Sequence, residues 1–150
     1  LFILTKKKTA ESQILLAPAV GFIMLFLLLN THIFPYMFGY QAPPKAARYF
    51  TENAGPDETL YNFHYPQYEL FFYSEPQATQ IDSEKEMQQL AGKKGNWIFT
   101  DEEGFKIIEN LRLKSDTVIR YNHLYLNRGG RFINPNTRDE VLKPMYLIKY

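Results

Sequence analysis

Three histidines, at positions 32, 64 and 123, are the natural starting points for chemistry in this chain. None belongs to an HxH, HExxH or comparable cluster, and no DxD pair accompanies them, so no metal-ligand spacing is present. The sequence has no Cys, which excludes disulfides, thiolate nucleophiles and cysteine-ligated zinc. Glycine spacing gives no phosphate-binding loop, no dinucleotide fingerprint and no GxSxG elbow. His64, Tyr65 and Glu69 form the one constellation in a chemically useful place, because they follow a predicted strand, where an α/β sheet opens its ligand crevice. A strand-end turn used only for packing has the same composition, and both readings stand at this stage. Asp101-Glu102-Glu103 is read as the acidic first turn of a helix, not as a metal site. Arg128 and Arg131 flank Gly129-Gly130; they suit a solvated hairpin tip or contacts to lipid phosphate. No cofactor and no catalytic residue is expected in this chain.

These residues need elements to hold them, and the chain divides into two unlike parts. Between Ser12 and Pro44 there is no Asp, Glu, Lys or Arg. Ile14 to Leu29 is unbroken apolar sequence, and the run resumes at Ile33-Phe34 after Asn30-Thr31-His32. At about 1.5 Å per residue, Ile14 to Phe34 covers roughly 31 Å as a helix, the thickness of a bilayer's hydrocarbon core. A transmembrane helix over about 14–36 is therefore predicted, with Pro18 near its start and Tyr36 and Tyr40 at the interface. No small-x-small cleavage pattern follows Leu29, which argues against a signal peptide. Leu1 to Leu4 reads as the end of a preceding membrane helix, joined through Lys6-Lys7-Lys8. Such a basic loop is retained on the cytoplasmic side, so residues from about 41 onward are expected outside it. This gives an end of a membrane helix, a basic loop and a transmembrane helix in 1–40, and an extracytoplasmic α/β domain in 41–150.

Setting aside Lys6, Lys7, Lys8 and Glu11 leaves 14 basic and 15 acidic residues, a balance of −1. Nucleic-acid binding needs a concentrated basic face and is not expected. In the second part, Ala46, Ala47, Phe50 and Ala54 predict a helix stopped at Gly55. Strands are predicted at Thr59 to His64, Gln77 to Ile81 and Asn96 to Thr100, the last of them central. A short aromatic helical turn is predicted over 67–73. Ser83 to Glu86 and Thr100 to Glu103 read as capping boxes, each opening a helix; Phe105, Ile108 and Leu111 stripe the second. Thr117 to Asn127, a Gly129-Gly130 turn and Met145 to Tyr150 predict an antiparallel tail. The expected class is α/β with an α+β tail, a mixed sheet with helices packed on it.

The order of a membrane helix, a Pro-rich exit, an Ala-Arg-Tyr-Phe helix and then LYNFHYPQYELFFYSEP resembles the C-terminal region of bacterial GT-C class membrane glycosyltransferases. These are the enzymes similar to protein O-mannosyltransferases and the aminoarabinose transferase. The resemblance covers roughly residues 10 to 111, including the strand that enters Thr100-Asp101-Glu102-Glu103. It implies a multi-pass protein of the cell inner membrane that moves a sugar from a polyprenyl-phosphate donor to an extracytoplasmic (periplasmic) acceptor. Its partners would be membrane lipid and the upstream transmembrane helices. The family's catalytic carboxylate lies in an earlier loop that no position here matches, so the chain would be a non-catalytic part. The tail from Asp116 is longer than the family's usual terminal strand and has no assigned role. A membrane-anchored extracytoplasmic ligand-binding or sensing module is the alternative.

Overall fold

A computed structural model describes residues 10–150; the apolar stub and lysine loop expected at 1–8 lie outside the described residues. The chain forms two compact units that divide between Gly39 and Tyr40.

The first unit is helical. Helix α1, Ala10–Leu28, runs into a π-helical turn at Leu29–Ile33 and then into α2, Phe34–Phe38. Leu16–Phe38, 23 residues of mean hydropathy 1.9, is the one stretch among the described residues long and apolar enough to cross a membrane. Its most apolar 18 residues are not buried by the protein, a composition that suits a membrane span or a signal sequence. Pro18 lies inside α1 and not at its start, so the carbonyl of Ile14 loses its usual i+4 donor there. The π-turn has a similar origin. Pro35 has no N–H to offer Thr31, and the preceding backbone widens so that the Phe34 N–H reaches Leu29 O. The polar side chains at this point are satisfied within the helix. Asn30 Nδ2 donates to Phe26 O at 2.8 Å and Thr31 Oγ1 donates to Leu27 O at 2.7 Å. The one Thr31 hydroxyl proton is thereby used, so in the 2.6 Å contact with His32 it is Nδ1–H that donates to Oγ1.

The second unit is a five-stranded mixed sheet with helices on both faces. Its elements are α3 (Ala42–Asn53), β1 (Thr59–Phe63), α4 (Glu69–Tyr73), β2 (Thr79–Ile81), α5 (Glu84–Leu90), β3 (Asn96–Asp101) and α6 (Glu102–Asn110). They are followed by β4 (Thr117–Leu124), a 3₁₀ turn (Leu126–Arg128), α7 (Gly129–Ile133), α8 (Arg138–Val141) and β5 (Leu142–Lys149). The strand order is β2-β1-β3-β5-β4. β1 runs parallel to β2 and β3, whereas β5 is antiparallel to β3 and β4. The expected mixed sheet with a central Asn96 strand is what forms.

Side-chain alternation along the strands builds two cores. Leu60, Trp97, Phe99, Met145 and Leu147 point to one face, where Ala46, Ala47 and Phe50 of α3 and Leu70 of α4 cover them. Phe63, Ile98, Ile148 and Tyr150 point to the other, under Met87 of α5 and Ile108 of α6. β3 is buried on both faces and reads as continuous apolar sequence; β4, at the edge, keeps Val118, Arg120 and Asn122 exposed. α5 opens as predicted, with Ser83 Oγ accepting the Glu86 N–H at 3.2 Å, and Gly92 at φ +80° follows its end.

Two further sequence readings change. The cap of α6 is Asp101, whose Oδ1 accepts the Gly104 N–H at 2.8 Å; Thr100 instead stays in β3, fully buried. The strand partnership of Thr100 with Phe63 fixes that outcome, because extending the ladder by one residue moves the cap forward. Gly129-Gly130 opens α7 and is no hairpin turn, so the β4–β5 connection is helical. Arg131 accordingly forms an ion pair with Glu140 of α8. The tail from Asp116 is structural: it supplies two of the five strands.

Candidate functional site

β1 and β3 are parallel neighbours, yet the chain leaves β1 for α4 on one face and leaves β3 for α6 on the other. Such divergence opens a crevice beyond the carboxyl ends of the strands. His64 stands at the end of β1 with φ +61°, in the left-handed region. The turn brings its Nδ1 within 3.0 Å of both carboxylate oxygens of Asp101, at the end of β3. Gly104 is what allows this approach. A Cβ there would lie 2.1 Å from Thr100 Oγ1 and 2.8 Å from His64 Cβ, so any side chain would force the β1 and β3 ends apart.

Tyr65 turns the other way. Its ring is buried against Phe99 and His123, and its hydroxyl donates towards Gln67 Oε1 at 2.9 Å and Glu69 Oε2 at 3.3 Å. The three predicted residues therefore fall at one end of the sheet but in two pairs, His64 with Asp101 and Tyr65 with Glu69. Tyr125, just past β4, lines the grooves on both sides: one with Asp101 and Lys143, about 220 Å³, and one with Gln67 and Glu69, about 320 Å³. Sequence reasoning missed Gln67, Asp101 and Tyr125 as members of this cluster. Asp101 was visible only as a helix-cap acid, and no local pattern joins Tyr125 to residue 64.

The electrostatics follow the pairing. The hydrogen bond to Asp101 raises His64 above the usual imidazole value, against a smaller opposing effect of burial. Burial first, then the charge of Glu69, holds the Tyr65 phenol well above its ordinary range. Tyr125 is raised by burial and by Asp101 and Glu69. The site thus offers an imidazole biased towards its cation, two phenols held neutral as donors, and two carboxylates. That set can bind a hydroxyl-rich or polar group through hydrogen bonds. No group of three or more metal-ligating side chains exists among the described residues.

A second arrangement fixes where the chain enters this unit. The Leu124 N–H donates to Tyr40 O at 2.8 Å, Gln41 Nε2 donates to Leu124 O at 2.8 Å, and the Ala42 N–H donates to His123 Nδ1 at 3.2 Å. α3 has no side-chain cap of its own, so His123 caps it from β4. Tyr40 also packs edge-on against Phe132 of α7, ring centroids 4.9 Å apart. His123 is buried, and burial lowers it to about 4, so it is neutral at physiological pH and keeps the Nδ1 lone pair this bond requires.

The fold and site define an α/β unit with a polar crevice at a sheet switch point, joined to one candidate membrane helix. No family model, no curated protein and no solved structure matches the chain.

Proposed function

We propose that this chain is a non-catalytic part of an integral-membrane, multi-pass glycosyltransferase that moves a sugar from a polyprenyl-phosphate donor to an extracytoplasmic acceptor. On this reading the Tyr40–Tyr150 unit lies on the outer, periplasmic side of a cell inner membrane, with Lys6-Lys7-Lys8 inside. The observation that carries it is the direct succession of parts. A 23-residue apolar helix ends at Phe38, and after three intervening residues α3 opens an α/β unit in which LYNFHYPQYELFFYSEP forms strand, polar turn and aromatic helix.

The test uses the complete protein in membrane vesicles with radiolabelled polyprenyl-phosphate sugar. Transfer to an extracytoplasmic acceptor is expected, and His64→Ala and Glu69→Gln should keep it within a few-fold. An absence of transfer from every polyprenyl-linked sugar tried, or a reading frame without further apolar spans, would overturn the proposal. One observation favours a second reading, a membrane-anchored ligand-binding module: the His64–Asp101 pair sits where α/β sheets bind ligands. Loss of all function in both variants would favour that reading.

A further inference from the structure

The connection from β4 to β5 is helical and firmly held. Phe132 of α7 is fully buried and Val141 of α8 nearly so. The Thr137 hydroxyl donates to Arg131 O at 2.6 Å, and Arg138 Nε donates to Phe132 O at 3.2 Å. The charged side chains on this connection therefore stand on a fixed backbone. Arg128 and Arg131 line a groove of about 300 Å³ with Tyr125, Asn127 and Lys143. Glu140 is the one carboxylate among its lining residues, and Arg131 already pairs with it. Three cations less one carboxylate leave a local charge of +2. Arg128, Lys143 and the Tyr125 hydroxyl have no side-chain hydrogen bond or ion pair among the described residues. Burial, and then Asp101 and Glu69, hold the Tyr125 phenol above its ordinary value, so it stays a donor. Tyr125 and Lys143 also line an adjoining groove of about 220 Å³ whose character is opposite, with Asp101, Glu102 and Glu103. There His64 holds Asp101 and Lys106 pairs with Glu102. The Glu103 carboxylate has no hydrogen bond or ion pair among the described residues.

We propose that the groove of Arg128, Arg131 and Lys143 binds the phosphate of a phosphorylated sugar whose hydroxyl groups reach Glu103 in the adjoining groove. A phosphate monoester fits the first groove both by charge and by acceptors. It carries about two negative charges at neutral pH on three terminal oxygens. The groove meets it with a surplus of +2 and with donors on guanidinium, ammonium, amide and phenol groups. A carboxylate ligand would leave one of those charges unmatched. The second groove repels a further anion, because Asp101, Glu102 and Glu103 line it, and accepts hydroxyl protons instead. Tyr125 and Lys143 are common to both grooves, so the anionic and hydroxyl-bearing ends of one small ligand lie side by side. A free sugar phosphate and one carried on a lipid share this chemistry. The inference concerns the Tyr40–Tyr150 unit alone and needs neither sugar transfer nor the membrane span.

Isothermal titration calorimetry on the full chain in detergent micelles tests this with glucose 6-phosphate, inorganic phosphate and glucose as probes. Glucose 6-phosphate should bind most tightly and glucose least. Arg128→Gln and Lys143→Gln should each weaken both phosphate-bearing probes by about tenfold. Glu103→Gln should weaken glucose 6-phosphate a few-fold and leave inorganic phosphate as tight or tighter. All three side chains are exposed, and unchanged Trp97 emission shows that each variant folds. Absence of binding by both phosphate probes at millimolar concentration overturns the site. So does binding that neither Arg128→Gln nor Lys143→Gln weakens. A Glu103→Gln variant that binds glucose 6-phosphate as the wild type does overturns the two-ended ligand. A second arm names the source, with the full chain in phosphatidylcholine nanodiscs with and without phosphatidylinositol 4-phosphate. Competition of that lipid with glucose 6-phosphate assigns a lipid-borne ligand; binding indifferent to the lipid assigns a soluble one, and both outcomes uphold the site.

Discussion

Replacing His123 by Asn gives the sharpest test of how this unit is held together. In the folded chain His123 is buried with a value lowered to about 4, whereas an unfolded histidine titrates near its ordinary 6.5. Between those values the unfolded chain binds a proton that the folded chain excludes, so stability rises with pH and falls on acidification. At about 1.4 kcal/mol per unit, the contribution lost between about pH 7.5 and about pH 4.5 is roughly 2.5 kcal/mol. Asn retains an acceptor for the Ala42 N–H but does not titrate, and its smaller volume adds a pH-independent cost of about 1–2 kcal/mol. The wild type's advantage of about 1–2 kcal/mol over His123→Asn should therefore fall by roughly 2.5 kcal/mol on acidification and change sign, leaving the variant the more stable by about 1 kcal/mol. His64 contributes with the opposite sign, its raised value giving stability that is lost as pH rises through it. It titrates in both proteins and cancels in the difference. Urea denaturation of the full chain in detergent micelles measures this, followed by emission of Trp97, the single tryptophan, which is buried. A difference that stays constant within about 1 kcal/mol across that range would refute the buried, neutral imidazole and with it the capping of α3 from β4.

Three further outcomes follow from other contacts. Gly104→Ala should destabilise the unit by about 1–3 kcal/mol, seen as a lower melting temperature, because its Cβ would press on Thr100 and His64. A melting temperature equal to wild type would contradict that packing. Asp101→Asn keeps an acceptor for the Gly104 N–H but removes the charge beside His64, so the His64 Cε1 proton should titrate at lower pH in NMR spectra. An unmoved titration would mean that the carboxylate does not hold the imidazole. Glu58 accepts from Trp97 Nε1 at 2.7 Å and from Lys149 Nζ at 3.0 Å; these bonds lower its value although burial opposes them. Glu58→Gln should cost about 1–2 kcal/mol at neutral pH and change Trp97 emission. Because the value is lowered, the wild type's advantage should vanish as pH falls through the folded value, and persistence into acid would exclude a charged Glu58.

Much of this protein was fixed by local pattern. The charge-free run that begins at Ser12 favours a long apolar helix up to Phe38, because a helix satisfies its backbone N–H and C=O groups within the segment itself and needs no partner strand. Asn96 to Thr100 reads as a central strand because both its faces are apolar, and Ser83 marks a helix start because its hydroxyl serves a donor three residues away. Other features depended on residues far apart in the chain. Nothing near Thr100 says that pairing with Phe63 carries β3 one residue further and hands the cap to Asp101. Nothing near Gly129 says that Phe132 of α7 packs against Tyr40, 92 positions earlier, which draws the double glycine into a helix. The candidate site divides in the same way. His64, Tyr65 and Glu69 were legible because a strand end is a local event. Their partners Asp101 and Tyr125 arrive through parallel pairing of β1 with β3 and through the placement of β4 at the far edge. Periodicity and capping act over a few residues and so leave a trace in sequence; strand order and register are decided by long-range burial, and only the folded sheet contains them.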